Sequence, residues 1–158
     1  MDCGIEIAKS PDRWVFVFKG DVRLSLCTTL DDLIASLFDQ GTPVQVLIDL
    51  SAADNIDSTC LGLLAKLAMH YQSTNAALPV IHCPNADLVD LIESLGLESL
   101  FEWRDEAIDV SCQRVELKGC EPAAAQSLVL SAHEALAELN HANQAQFDGL
   151  IRALKTAD

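Results

Sequence analysis

Basic residues are scarce in this chain. Ten Lys and Arg stand against 24 Asp and Glu, for a formal net charge of -14, and the cations form no cluster. Phosphate backbones are held by Lys and Arg, so direct nucleic-acid binding is excluded, and any role in transcription passes through another protein. No apolar run approaches the roughly 20 residues that a membrane-spanning helix needs. The opening MDCGIEIAK lacks the basic and apolar regions of a signal peptide. The expectation is a cytoplasmic protein without membrane insertion. Cys3, Cys27, Cys60, Cys83, Cys112 and Cys120 form no CxxC pair and no zinc-ligand spacing with His70, His82, His133 or His141. Several of them sit in apolar runs as small hydrophobes, which suits a reducing compartment. No glycine-rich phosphate loop occurs, and no cofactor or metal is expected.

What is present suffices for one core. Half of the 158 residues are hydrophobic, so burial can offset the entropy of ordering the chain. Trp14–Phe18 is β-branched and aromatic and predicts a buried strand, with Gly4–Ala8 pairing to it across a Ser10-Pro11-Asp12 turn. Leu30, Leu33, Ile34, Leu37 and Phe38 share one face of a helix over Thr29–Asp39, closed by Gly41 and Pro43. Val44–Leu50 predicts a central strand covered on both faces. The stretch Ser58–His70 is apolar almost all round, with Lys66 its only charge, and predicts a buried or docked helix. A short strand over Leu78–Cys83, a helix over Asp87–Leu95 stopped by Gly96, and a last strand over Leu100–Trp103 complete a β-β-α-β-α-β-α-β order. That order predicts an α/β fold.

Beyond it, Arg104–Gly119 alternates weakly and predicts a partly extended segment. Pro122 suits the first turn of a helix. From there to Lys155 runs an amphipathic stretch (Leu128, Ala132, Ala135, Leu139, Phe147, Leu150, Leu154), with Asn140–Asn143 as its bend. A straight helix of that length would extend roughly 50 Å, so it must fold back, pack across the domain or protrude to a partner. Three segments are expected: a core over 4–103, a partly extended connection over 104–121 and a helical extension over 122–156.

The chemistry-bearing stretch is Asp49-Leu50-Ser51-Ala52-Ala53-Asp54-Asn55-Ile56-Asp57-Ser58-Thr59-Cys60-Leu61-Gly62. A buried strand ends in a short polar loop, and Asp57-Ser58-Thr59 opens an apolar helix. Ser58 is a candidate N-cap, at the positive end of the helix dipole. A phosphate there would be stabilised locally and would change the surface that a partner meets. Asp57 either orients a kinase or phosphate or complements the dipole. Thr59 is the second candidate acceptor.

Asp49, Leu50, Asp57, Ser58, Thr59, Leu61 and Gly62 follow the order and spacing by which the chain resembles the STAS family, and specifically the bacterial anti-sigma factor antagonists. Their pattern is a strand ending Asp-Leu, a short loop, and Asp-Ser-Ser/Thr-Gly-Leu-Gly opening a helix. The resemblance covers about residues 4 to 103. It implies a STAS fold, a mixed sheet of four to five strands with helices packed on it, here with a long C-terminal helical extension. It implies phosphorylation of Ser58 by an anti-sigma factor with serine kinase activity, binding of that partner by the unphosphorylated form, and resetting by a metal-dependent Ser/Thr phosphatase. Cys60 stands where relatives carry Gly, and Arg23 where they often carry Asp.

The expected partner surface comprises Asp54, Asn55, Asp57, Ser58 and Thr59, with Lys66 and His70 on the following helix, since interface centres are depleted in charge. The distal part of the extension, with Phe147, Leu150, Ile151 and Leu154, is expected to dock on a second copy, as a homodimer, or on a regulatory partner. A different reading is a STAS subunit of a transport or lipid-trafficking complex, a binding module without phosphorylation; Ser58 counts against it. An enzyme is the third class. His70 lies 12 positions past Ser58 on one helix, roughly 18 Å away, too far for proton transfer.

Overall fold

The computed structural model describes residues 3–74 and 76–156. Its elements run β1 (Gly4–Lys9), β2 (Arg13–Val22), α1 (Leu24–Asp39), β3 (Gln45–Ile56), α2 (Ser58–Ser73), β4 (Val80–His82) and α3 (Ala86–Ser94). A 3-10 turn (Glu98–Leu100), β5 (Glu102–Trp103), β6 (Gln113–Arg114), α4 (Pro122–Leu139) and α5 (His141–Thr156) complete them. This is the expected mixed α/β architecture. The six strands lie in the order β5-β4-β3-β2-β1-β6. β2, β3, β4 and β5 are parallel, and β1 pairs antiparallel with both β2 and β6.

Alternation along the central strands divides the core between two faces, because successive strand side chains point opposite ways. Trp14, Phe16 and Phe18 of β2 and Val46, Ile48 and Leu50 of β3 face the helices and join Leu30, Leu61 and Ile92 in the main core. Val15, Leu47 and Val80 face the other way. They are covered by Ile108, Val110 and Cys112, from the connection after β5. That connection then supplies β6, the strand beyond the four or five expected.

Two boundaries differ from the sequence expectation. α1 begins at Leu24 rather than Thr29, because Leu26 and Cys27 extend its buried stripe while its N-cap, Arg23, makes no side-chain cap that would have marked the start. The polar stretch after Leu50 is not a loop. β3 continues to Ile56, because β2 runs beside it as far as Val22. The register shifts twice along that extension, and Gly20, with φ 70, sits at the second shift, where a left-handed residue accommodates a bulge. Ladder pairing outweighs the weak strand propensity of Ser51-Ala52-Ala53-Asp54-Asn55.

The α3 stop follows expectation in full geometry. Gly96, with φ 73, sends its N–H to the Glu93 carbonyl, and Leu97 sends its own to Ile92, the paired bonds of a Schellman motif. After β6 the chain crosses α1, where the Lys118 N–H donates to Thr29 Oγ1 at 2.9 Å. It then enters α4, which packs across α2, and α5 folds back on α4. The bend falls at Asn140, in extended conformation between the two helices. Phe147 joins the main core and Ile151 packs against it, so much of the distal apolar face is covered within the chain; Leu150 stays exposed.

At the far end of α2, buried Tyr71 donates its hydroxyl to the Pro43 carbonyl at 2.7 Å. Burial pushes its phenol up to about 12. A raised folded-state value means that the protonated phenol's contribution to stability is whole below about pH 10 and is lost as pH rises from there towards 12. Tyr71 is the chain's one tyrosine, so tyrosinate absorbance reads it directly. The expected midpoint is near 12 in the native protein and falls to about 10 in urea. A native midpoint of about 10 would contradict this burial.

Candidate functional site

The site is built where β3 ends and α2 begins. The Asp57 N–H donates to the Val22 carbonyl at 2.9 Å, so the last pair of the β2–β3 ladder positions the helix start. Asp57, not Ser58, is the N-cap: its carboxylate accepts the Cys60 N–H at 2.9 Å. The sequence expectation is corrected here by one residue. Both types are good caps, and the backbone leaves the helix at Asp57, with φ -88 and ψ 168. With the cap taken by its neighbour, Ser58 occupies the first helical position and its hydroxyl is available for other work.

That hydroxyl meets His133 of α4, with Oγ 2.8 Å from Nε2. The other ring nitrogen, Nδ1, lies 2.7 Å from the Val129 carbonyl, which can only accept. Nδ1 therefore carries a proton, and in the neutral ring Nε2 accepts from the Ser58 hydroxyl. His133 is 2 % exposed and packs edge-on against Phe147 of α5, with ring centroids 5.0 Å apart. Ser58 itself is half-buried, whereas Thr59 is buried at 6 % exposure.

Ser58, Gly62, Lys66 and His70 are spaced four apart and share one stripe of α2. α4 lies across that stripe. A Cβ on Gly62 would come within 2.7 Å of the Ala132 carbonyl carbon. Lys66 Nζ donates to Ser131 Oγ at 2.7 Å, and the half-buried His70 ring stacks on Phe38 of α1 at 4.2 Å. Asp54 and Asn55 lie exposed on the end of β3. Asn55 donates to Asp21 at 2.8 Å, and Asp21 in turn pairs with Arg23 at 3.2 Å. The seven expected surface residues therefore divide. Asp54 and Asn55 stay open, Asp57 and Thr59 are built into the helix start, Ser58 and Lys66 are engaged by α4, and His70 lies half-buried against Phe38 of α1. Sequence reasoning missed His133, Ser131 and Ala132. His133 gave no ligand spacing, and its partner lies 75 positions away; the apolar stripe through Ala132 and Ala135 was the one signal that this stretch of α4 faces inward.

Cys27, Asp57 and Cys60 bring three donor atoms within 4.8 Å of one another. They suit a helix junction better than a metal centre. Contact with Cys27, then burial, pushes the Cys60 thiol well above its ordinary value. The Cys27 and Cys60 thiols both donate to the Arg23 carbonyl, and Asp57 is committed to its cap. Small and buried, Cys60 fits the crowded first turn of α2.

The capping role is testable. Asp57→Ala should lower unfolding stability by about 0.5–2 kcal/mol in a urea titration, and Asp57→Asn should recover most of it. Equal losses in both variants would show that charge, not capping geometry, is what matters.

Residues 5–102 match the family model described as Mlab, STAS domain. No curated protein matches the sequence. Among solved structures, the anti-sigma factor antagonist SpoIIAA in its unphosphorylated form is similar at 12% identity with a TM-score of 0.55, over 65% of this chain and 89% of that one. The Bacillus cell fate determinant SpoIIAA in the phosphorylated form is similar at 13% identity with a TM-score of 0.53, over 65% of this chain and 92% of that one. At such identities the likeness is one of fold. α4 and α5 lie wholly beyond the matched residues. With the family model spanning most of the β1–β5 unit and the sheet and helices agreeing with it, this chain belongs to the STAS family.

Proposed function

We propose that this chain is an anti-sigma factor antagonist that works in the cytoplasm by partner switching at Ser58, and that it is a binding module rather than an enzyme. The observation that carries the reading is the division of labour at the start of α2. Asp57 caps the helix, so the half-buried Ser58 hydroxyl at the family's motif position is not needed to hold the fold. Buried Thr59 is the poorer acceptor.

In the proposed cycle Ser58 Oγ bonds to the γ-phosphorus of a nucleoside triphosphate held by a kinase-type anti-sigma factor. The bond from that phosphorus to the bridging oxygen breaks, the nucleoside diphosphate leaves with its electron pair, and the hydroxyl proton passes to a base. The phosphate sits at the α2 N-terminus, where the helix dipole favours negative charge. It adds about -1.5 to -2 charges to the surface the partner meets. A metal-dependent Ser/Thr phosphatase resets the switch. Asp54 and Asn55 form the open rim of the contact, with Asp57, Ser58, Lys66 and His70 along the helix.

Against catalysis stands the setting of the Ser58–His133 pair. The second nitrogen of His133 is held by a backbone carbonyl rather than a carboxylate, and α4 lies over the serine. A homodimer through the C-terminal helix is left with little apolar surface beyond Leu150, at 41% exposure. One observation favours a second reading, a STAS subunit of a transport or lipid-trafficking complex: the matched family model carries the description Mlab rather than one of sigma-factor control.

Affinity capture from the source cell with Ser58→Ala and Ser58→Asp separates the two. The switching reading expects a kinase-like anti-sigma factor on the Ala form and at least a hundredfold weaker binding to the Asp form, a difference of about 2.8 kcal/mol. Equal recovery of transporter subunits by both forms would favour the second reading. Phosphopeptide mapping with the captured kinase should place all label on Ser58; label on Thr59 alone would overturn the assignment.

A further inference from the structure

The stripe of α2 that carries Ser58 is already occupied, by a part of the chain beyond the residues that the family model matches. α4 closes on it at three points along the helix. The Ser58 hydroxyl is bonded to His133, the Gly62 backbone lies against Ala132, and the Lys66 ammonium is bonded to Ser131. The α4–α5 unit is anchored at its own bend, where Asn143 Nδ2 donates to the Leu95 carbonyl at 2.8 Å and to the Leu136 carbonyl at 2.9 Å.

We propose that the α4–α5 hairpin is an autoinhibitory cover: it holds the α2 stripe in place of a partner, the Ser58–His133 hydrogen bond is its latch, and a protein that acts at Ser58 must first displace it. The inference rests on the reading of Ser58 as the functional serine.

Two physical features make the hairpin displaceable from the Ser58 end of α2, although Ala132, Leu136 and Phe147 join it to the main core. It joins the domain through one long segment after β5, and that segment's last ties before α4 are an exposed Lys118–Asp32 ion pair and one backbone bond to Thr29. Its contact with α2 is narrow where it matters. Beside Ser58 it consists of the close Gly62–Ala132 approach and single polar bonds that water can replace at modest cost, while the apolar burial lies further along the hairpin, at Leu136 and Phe147. A phosphate also cannot occupy the 2.8 Å between Oγ and Nε2. Either the phosphate turns outward and the latch is lost, or α4 moves.

The cover should open as a unit while the sheet stays folded, and native-state hydrogen exchange of the full chain reads this without a kinase. In the unmodified protein, amides of α4 and α5 should exchange at least a hundredfold faster than the slowest amides of β2 and β3. Ser58→Ala, which removes the latch, should speed α4 and α5 by about three- to tenfold, the effect of one lost hydrogen bond. A full chain with phosphoserine installed at position 58 should speed them at least tenfold, with β2 and β3 unchanged. Gly62→Ala, whose methyl meets the Ala132 backbone, opens the crossing mechanically and serves if the phosphorylated chain proves unstable. Protection of α4 equal to that of β3 would make the hairpin core and overturn the proposal. So would α4–α5 rates that neither phosphoserine at 58 nor Gly62→Ala changes. Failure of the capture experiment would end the switching reading while leaving this measurement valid, so the two can fail separately.

Discussion

Helices α2 and α4 cross with almost no side chain between them, because position 62 has none. The absence of a Cβ at Gly62 lets the Ala132 backbone approach to a distance that any other residue would block. That approach brings His133 to Ser58 on one side and Ser131 to Lys66 on the other. With a larger residue at 62, α4 would stand off by the width of a side chain and both polar contacts would stretch beyond hydrogen-bonding range. The same crossing sets α4 where α5 can fold back and bury Phe147 against His133. The α4–α5 hairpin is thus arranged around one missing methyl group.

A second constraint lies beneath the first. The start of α2 is held by the sheet through the Asp57–Val22 bond and by its own cap through Asp57–Cys60, and the thiols of Cys27 and Cys60 converge on the Arg23 carbonyl below it. The helix N-terminus is satisfied without Ser58. A serine that also had to cap could not change its chemical state without loosening the helix. Separating the two tasks onto adjacent residues leaves Ser58 free to carry a phosphate, or a bond to His133, at little cost to the domain. Arg23 pairs with Asp21 and through it with Asn55, so it stiffens the exposed rim beside the site rather than entering it.

The features legible in the sequence are those fixed by short-range periods and by punctuation. Trp14, Phe16 and Phe18 alternate with Val15 and Val17, and β2 sends them to opposite faces. Gly96 follows a helical stripe and ends α3 with the left-handed residue that a Schellman motif requires. Asp57-Ser58-Thr59 marks a helix start. Local signals fail where tertiary pairing overrides propensity, as in the polar end of β3, which is extended only because β2 runs beside it. They also fail where no cap side chain exists, as at Arg23 before α1, and at Asp57 and Ser58, between which propensity cannot choose.

By itself, then, the sequence determined the alternating α/β order, the two-faced central strands, the place of the candidate serine and a break in the C-terminal helix near Asn140. Each of these depends on residues within a few positions of one another, where strand and helix periods act. Only the tertiary structure decided what Ser58 touches, which residue caps α2, and that Lys66 and the α2 stripe face another helix of the same chain. Those outcomes depend on a contact across 75 positions and on backbone clearance at Gly62. Neither leaves a periodic trace, because a glycine in a helix and a histidine in an apolar stripe look alike in sequence whether or not they ever meet.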